Sequence, residues 1–586
     1  MKKTLYILIA FVSVLFSLPL SAQESEVRTV TGTVIDQDGA PMIGVYVMAQ
    51  DSKTTGTMTD ADGKYSIKIG GDKSLVYQCI GYETVTQYVG KRSNINVTMY
   101  VDTQELDKVV VIAYGSVKKS DLTGSVSSVD MKDIKDVPVS SVDLALQGRI
   151  AGADIMSTTG EPGATTSIRI RGTRSISATN EPLIVVDGVI DGISDLNDVN
   201  PSDIASISVL KDASATAIYG SRGSNGVIVI TTKTGSSNAG KPSVTFRADA
   251  GFSHLPRQID VMDASEFAQF RNDYALVSTS DSYSEITSTT PLSKYPYPNP
   301  LSYGKGTNWM DEVTRIAPYQ NYDLSVSGKN QNTSYFASVG FNNNQGIIDK
   351  SGLKRLSARF NIHHSFNKWL KVGLNQNYTY RDQLLNQASL TGTSWWSAAI
   401  FLSPMIKAYS NFNELWYSGQ KFNSPRTLIE MCERQRISRS MNTSAYAELT
   451  PLKSVKLKSQ FTYNTYDQAE NSFRPGTLPA RKENEGANAS REEYNSRNLL
   501  SETTLSYAFD NKSGHKFDVL AGFTGQNWMS HNLYVSGSGY TLDQLKWNNM
   551  AAIPDKQNLS VSTNEVKKVK MSMLGRFNYN WKGRYY

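Results

Sequence analysis

From residue 237 to residue 586 the chain alternates apolar and polar residues with a period of two, in many short segments separated by polar loops. Tyr322, Leu324 and Val326 alternate with Asp323, Ser325 and Ser327. Leu356, Ala358, Phe360 and Ile362 alternate with Ser357, Arg359, Asn361 and His363, and Val455, Leu457, Phe461 and Tyr463 with Lys456, Lys458, Gln460 and Thr462. Successive side chains of a strand point to opposite faces, so each segment reads as a strand with one apolar and one polar face. Such strands build a soluble sandwich or a membrane barrel, and two features favour the barrel. Their apolar faces end in aromatics, as at Tyr335 and Phe341 or at Phe577 and Trp581, which suits a girdle at a membrane interface. Connections also alternate between short (Gly328 to Thr333, Asp510 to Gly514) and long (His254 to Tyr319, Asp382 to Arg439). The 31 tyrosines and the scarcity of long apolar runs fit a mainly β chain with wet surfaces better than a helical enzyme.

The longest apolar run, Leu5 to Phe16, follows Lys2 and Lys3 and precedes the small residue Ala22. That is the pattern of a secretory signal peptide over 1–22, cut before Gln23. A spanning helix would need about 20 apolar residues, so membrane residence would have to come from β-strands. Net charge is +6, from 60 basic and 54 acidic residues without a basic block, which leaves nucleic acid no electrostatic footprint. With two cysteines, Cys79 and Cys432, and one adjacent histidine pair, His363-His364, whose rings would point to opposite strand faces, no metal site is expected.

Ahead of the alternating region lie two smaller modules. Residues 28–101 carry about seven short strand patterns between turn signals, the mark of a small β-sandwich. Asp60-Ala61-Asp62-Gly63 begins like a calcium loop, but the twelfth residue counted from Asp60 is Gly71 rather than Glu, and a hairpin turn is the reading preferred. Residues 102–115 form a charged linker around the apolar stretch Val109 to Ala113. That stretch is either one more sandwich strand or an extended segment held out for capture by another protein's sheet edge.

Residues 116–236 mix short helices and strands, an α+β pattern. Ser140 to Arg149 reads as a capped helix, and Thr166 to Gly172 as a strand with Ile168 and Ile170 on one face and Arg169 and Arg171 on the other. Leu183 to Val189 reads as a buried strand with an Asp-Gly turn. Asp187, Asp191 and Asp195 have no spacing that favours acid–base catalysis over turn capping. Leu210 to Lys233 runs helix, glycine turn (Gly220, Gly223, Gly226), strand, the reverse of the order a phosphate-binding loop needs.

Four motifs in order, Leu146-Gln147-Gly148-Arg149-Ile150-Ala151-Gly152, Ile168-Arg169-Ile170-Arg171-Gly172, Pro182-Leu183-Ile184-Val185-Val186-Asp187-Gly188 and Leu210–Lys233, resemble the SusC-like TonB-dependent transporters of the outer membrane. Trp309 to Val313 resembles that family too. The resemblance implies a carboxypeptidase regulatory-like sandwich over 28–101, a TonB box in the linker 102–115, a plug over 116–236 and a transmembrane barrel from 237 onward. Lys108, Val109, Val110, Val111, Ile112, Ala113 and Tyr114 would bind TonB, energised by ExbB and ExbD. Arg169 and Arg171 would anchor the plug to carboxylates of the barrel wall. The family implies import of oligosaccharides or peptides beneath a SusD-like surface lipoprotein, with neither enzyme activity nor cofactor. Trp395, Trp396, Trp416 and Tyr417, in the long loops, are candidates either for stacking on sugar rings or for packing loops together. About ten strand patterns are present where such barrels close with about 22, and an open edge in lipid is costly, so the expectation is the first half of a barrel, a portion of a longer protein. The alternative is a secreted or surface-attached β-rich binding protein.

Overall fold

The computed structural model describes residues 27–581 except 37–38, 51–55, 71–73, 80–81, 83, 91, 101–108, 113–114, 119–125, 131–140, 158, 194, 236–240, 278–285, 386–394, 407–415, 418–419, 422, 479–485, 512 and 541. The expected signal segment 1–22, with Lys108, Ala113 and Tyr114, lies outside the described residues. The chain forms two compact units, residues 1–109 with 118–120 and residues 110–117 with 121–586.

In the first unit β1 (Val27–Asp36) pairs antiparallel with β4 (Lys64–Gly70) and parallel with β7 (Val97–Met99). A second sheet runs β3 (Gly56–Met58), β2 (Tyr46–Ala49), β5 (Ser74–Gln78), β6 (Val85–Tyr88). One apolar cluster, including Val30, Val34, Val47, Leu75, Tyr77 and Val97, joins the two sheets into a sandwich. The alternation of each strand sends these residues inward, and Tyr65 and Tyr77 meet there edge to face with their hydroxyls 2.6 Å apart. Asp60 Oδ1 accepts the backbone N–H groups of Asp62 and Lys64, and Gly63 takes φ 71°, so this acidic stretch is a turn.

A two-stranded sheet pairs β8 (Val109–Ile112) with β9 (Gly115–Lys118). The plug sheet has five strands in the order β10 (Val126–Asp130), β15 (Ile204–Leu210), β16 (Val227–Thr232), β13 (Leu183–Val186), β14 (Val189–Ile190). Its helices are single turns: α1 (Val142–Leu146) is shorter than the capped helix expected over Ser140 to Arg149. The chain reverses into αL at Gly148, φ 72°, directly after it. Aliphatic residues pack on both sides of the sheet, Ile207, Val209, Ile228 and Ile230 in one cluster and Leu183, Val185, Leu210 and Val227 in another. The expected Asp-Gly turn joins β13 to β14, with Asp187 at φ 51° and Gly188 at φ 82°.

At the glycine-rich stretch, α2 (Ala213–Thr216) gives way to a tighter helical segment, Ala217–Asn225, broken at Gly220, and then to β16. Gly226 has φ 90°, and a Cβ there would lie 2.7 Å from Ile170 Cδ1. Its lack of a side chain therefore serves packing as well as backbone conformation. β11 (Ala153–Ser157) and β12 (Thr166–Ile170) form a separate hairpin.

Beyond the plug, ten strands make one antiparallel sheet in chain order: β17 (Ser243–Ser253), β18 (Ala317–Lys329), β19 (Thr333–Gln345), β20 (Gly352–Ser365), β21 (Leu370–Leu384), then β24 (Glu433–Leu452), β25 (Val455–Arg474), β26 (Ala487–Asp510), β27 (His515–Tyr540) and β28 (Leu559–Trp581). Connections at one end are short (330–332, 366–369, 453–454, 511–514) and at the other mostly long (254–316, 385–432, 541–558). The long ones carry α3 (Ala264–Val277), α4 (Trp309–Val313), α5 (Trp395–Phe401), the two-residue strands β22 (Trp416–Tyr417) and β23 (Gln420–Lys421), and α6 (Pro425–Met431). One sheet face exposes Leu324, Phe341, Phe360, Phe461, Leu505 and Met573, and the plug packs on the other. β17 and β28 are the edges, so among the described residues the sheet is not closed into a barrel. No described helix is long and apolar enough to cross a membrane.

Candidate functional site: the seam between plug and wall

Residues 191–203 leave the plug sheet as a run of tight turns, and their polar groups, with Asp187 of the β13–β14 turn, face the polar side of the wall strands. Asp195 caps a 3-10 turn over Leu196–Asp198, its Oδ1 accepting the N–H of Asn197 at 2.9 Å. Asn200 likewise caps the turn Pro201–Asp203. Capping fixes the backbone so that the remaining carboxylate oxygens and carbonyls point outward.

Wall arginines meet those carboxylates. Arg381 on β21 donates from Nη1 to Asp195 Oδ2 at 2.7 Å, and its Nε lies 3.1 Å from Asp198 Oδ1. Arg359 on β20 reaches Asp187 Oδ2 at 3.3 Å and Asp203 Oδ2 at 3.6 Å, with its side chain only 3% exposed. Asp187 is itself held by the N–H and hydroxyl of Thr232, at 2.8 and 2.7 Å. On β18 the roles reverse: the wall's Asp323 accepts from the plug's Asn200 amide at 2.6 Å and Ser202 hydroxyl at 2.7 Å. Burial pushes the Asp198 carboxyl up to about 6 against the pull of Arg381. Burial raises Asp203 as well, with Arg359 opposing.

Arg355 and Arg381 sit directly opposite each other on β20 and β21. Like charges so placed disfavour the pairing unless neutralised. Asp195 and Asp198 on the plug supply that neutralisation for Arg381, and Asp323 on the wall is the largest favourable charge on Arg355. Wall and plug are therefore electrically incomplete without each other.

Other wall side chains donate to plug carbonyls that have no strand partner. Gln383 reaches Pro162 O at 2.8 Å, Asn442 Gly192 O at 2.5 Å, Thr379 Asp198 O at 2.7 Å and Asn361 Lys233 O at 3.0 Å. Each such bond satisfies a buried backbone acceptor that would otherwise cost about 1–3 kcal/mol. Asn342, Asn361 and Asn464 each keep a buried amide oxygen without a hydrogen-bond partner among the described residues.

Arg169 and Arg171 are not joined to the wall by any described ion pair. The described partner of Arg171 is Asp212, inside the plug, and Arg169 is half-buried on β12. The ion pairs to the wall instead join plug aspartates to wall arginines. Turn capping was legible for Asp195, but the ion partners of Asp187 and Asp195 lie 172 and 186 residues away. The available signal was the arginine at polar positions of β20 and β21.

Val109, Val110, Val111 and Ile112 form β8, and its pairing with β9 makes them one strand of a hairpin. Trp395 and Trp396 open α5, while Trp416 and Tyr417 pair with Lys421 and Gln420. The side chains of these eight residues lie outside the described part of the structure. His363 and His364 point apart, to Tyr446 and Thr333, and no group of three or more metal-ligating residues occurs among the described residues.

A plug held by one face of a long antiparallel sheet defines a class, and the comparisons agree. Residues 118–227 match the TonB-dependent Receptor Plug Domain, and residues 30–111 match the CarboxypepD_reg-like domain. The chain is a homologue of the SusC-like TonB-dependent receptors. TonB-dependent receptor P26 of Formosa agariphila is 33% identical over 95% of this chain and 55% of its own length. TonB-dependent receptor SusC of Bacteroides thetaiotaomicron is 36% identical over 72% of this chain and 40% of its own. The RagAB peptide importer in its open-open state superposes with a TM-score of 0.69 at 26% identity, over 81% of this chain and 55% of that one. The chain spans about half the length of the curated relatives it matches. These relatives are named as receptors and an importer.

Proposed function

We propose that this chain is the plug-bearing part of a TonB-dependent outer-membrane importer. The ten-stranded sheet would be one part of a barrel wall of about 22 strands, with its apolar face in lipid. The observation that carries this reading is the seam: a folded plug domain is clasped to the polar face of the sheet by Arg359 and Arg381, through groups that can re-bond to water when the plug moves.

In this reading the segment Lys108 to Tyr114 is taken up by TonB as an added strand, and the energy of ExbB and ExbD displaces the plug. The sandwich at 28–101 is an accessory, the linker covers 102–115, the plug covers 116–236, and residues 1–22 direct export. A SusD-like lipoprotein covers the outer mouth, and oligosaccharides or peptides are the cargo. Arg169 and Arg171 are available to wall segments other than the described ones, and Trp395, Trp396, Trp416 and Tyr417 to cargo at the mouth.

The test is uptake of labelled glycans and peptides by cells with and without the complete gene, with a protonophore arm. Import that depends on the gene and collapses with the protonophore supports the reading. A Val110→Pro variant, which removes a ladder donor from the captured strand, should abolish energised uptake. Normal uptake in that variant would sink the TonB-box assignment.

A further inference from the structure

The face of the wall that points away from the plug changes character at one level. On β26 the exposed Leu499, Leu505 and Phe509 lie on that face, while Asn498, Leu500 and Glu502 point inward and are buried. Leu499 and Phe509 are ten residues apart, about 34 Å along the strand and about 26 Å along the axis of a barrel whose strands tilt by about 40°. That matches the apolar band, about 25 Å tall, of an outer-membrane barrel. Arg497 is the next outward residue, about 5 Å beyond the band on the side of the long connections. The same step recurs on alternate strands, where Lys567 follows Val569 on β28 and Arg439 follows Met441 on β24. Lys568 turns inward over the Trp528 ring, so its neighbour Lys567 faces outward.

Register brings these cations together. Arg497 pairs with Met529 on β27, and Met529 pairs with Lys567. With strands about 4.8 Å apart, the two cations start about 10 Å from each other, within reach of one shared anion. No acidic residue shares their row, which runs Thr465, Arg497, Met529, Lys567. Arg439 lies two strands to the other side of Arg497 and one outward position higher, opposite Asp467. The remaining carboxylates of that face stand beyond the cations, Glu565 above Lys567 and Glu493 held by Arg491 at 2.8 Å. Arg439 and Arg497 are exposed, and none of the three cations has an ion pair among the described residues. The inward arginines Arg359 and Arg381 are met by carboxylates of the plug, whereas these outward cations are left for something outside the chain.

We propose that Arg497 and Lys567, with Arg439 beside them, form a site for the phosphate-bearing headgroup of a membrane lipid, in the leaflet on the side of the long connections. The proposal rests on the import reading, since it needs the apolar face in lipid. Acyl chains lie along Leu499, Val569 and Met571, and the phosphate meets the cations where those chains end. The Arg497 guanidinium offers it two parallel N–H donors, and the Lys567 ammonium a point charge. Continuity of the cations with the apolar face favours a lipid over a soluble anion. An acidic protein fits less well, because the apolar band begins two residues below the cations and leaves a polar partner nothing to pair with on that side.

The test uses protein from the complete gene in a neutral detergent, titrated with diphosphoryl lipid A, the same lipid after phosphatase treatment, and inorganic pyrophosphate. The phosphorylated lipid should raise the thermal midpoint and bind more weakly as salt is added. Dephosphorylated lipid and pyrophosphate should each bind at least about tenfold more weakly than it does. Arg497→Gln with Lys567→Gln should weaken the phosphorylated lipid by about 25-fold, about fivefold per cation, and adding Arg439→Gln should bring the loss to about a hundredfold. Arg497→Lys keeps the charge and should stay within about threefold of wild type, which separates charge from fold. Unchanged affinity in the double variant, or equal binding of the two lipid forms, would overturn the site. Pyrophosphate bound as tightly as the phosphorylated lipid would overturn the lipid as its occupant. A protein that does not partition into membranes would overturn the import reading as well, whereas a membrane-resident protein blind to phosphate would overturn this site alone.

Discussion

Inside the plug, Ile207, Val209, Ile228 and Ile230 meet aliphatic neighbours in one cluster, whereas at its boundary Arg359, Arg381, Asn361 and Thr379 meet carboxylates and backbone carbonyls. Both regions are buried, yet they answer different physical demands. An aliphatic interior loses its stabilisation once water enters, so it keeps the plug a single body. A polar boundary exchanges each bond for one to water, so the net cost of separation is only about 0.5–1.5 kcal/mol per neutral hydrogen bond. The contrast separates an interior that depends on excluding water from a boundary whose groups can bond to water instead.

The largest expected break in this comparison comes from Arg381→Ala, which would leave the buried Asp198 and the partly exposed Asp195 without their cation. Losing one partner of a buried pair costs about 3–5 kcal/mol. A lowered thermal midpoint and entry of a large antibiotic into cells should report it. Arg381→Met combined with Asp195→Asn and Asp198→Asn should recover most of that loss, since charge then departs from both sides. If the triple variant were as damaged as the single one, the seam would not be electrostatic.

Ile207→Ala attacks the interior instead, at about 2–5 kcal/mol from lost burial and a residual cavity. Limited proteolysis should then cut within the plug while the wall strands stay protected. Cleavage of plug and wall together would mean the two are not separable bodies.

Gly226→Ala should cost about 1–3 kcal/mol, because the backbone is left-handed there and the new methyl meets Ile170 Cδ1 at 2.7 Å and Leu210 O at 3.2 Å. Pairing it with Ile170→Val should return part of the loss in a thermal melt, whereas an uncompensated loss would assign the whole effect to φ.

The smallest effect is a pH dependence. Asp198 is raised from 3.8 to about 6, so between those values the folded state holds a proton that the unfolded state has released. Its contribution to stability is fully present below pH 3.8 and is lost as pH rises through about 6. Asp198→Asn should therefore leave the midpoint at pH 4 nearly unchanged and raise it slightly at pH 7.5. A drop at pH 7.5 would show that the ion pair with Arg381 outweighs the burial of the carboxylate.

How far the sequence could be read depends on the range of the interaction. The Asp187-Gly188 turn, the strand Val227–Thr232 and the alternation of β20 are set by neighbouring residues, and all three are found in place. The helix expected over Ser140 to Arg149 shrinks to Val142–Leu146, because the αL turn at Gly148 ends it and the Ser141 side chain makes no capping bond. The ion pairs of the described seam were not legible. Arg169 and Arg171 have the charge and the alternation of anchors, but the described bond of Arg171 goes to Asp212, 41 residues on in the same module. The rings on the plug-side face of the sheet were not legible either, since Tyr466, Tyr494, Trp528 and Tyr534 lie on three strands and become neighbours only in register.

The sequence by itself determined the strands, their two faces, the turns and the family likeness, because each follows from contacts within a few residues or from motif order. Only the tertiary structure decided which charges face one another across the seam and which rings share the plug-side face of the sheet. Those pairings reach across as many as 304 positions, through a sheet register that no local pattern specifies.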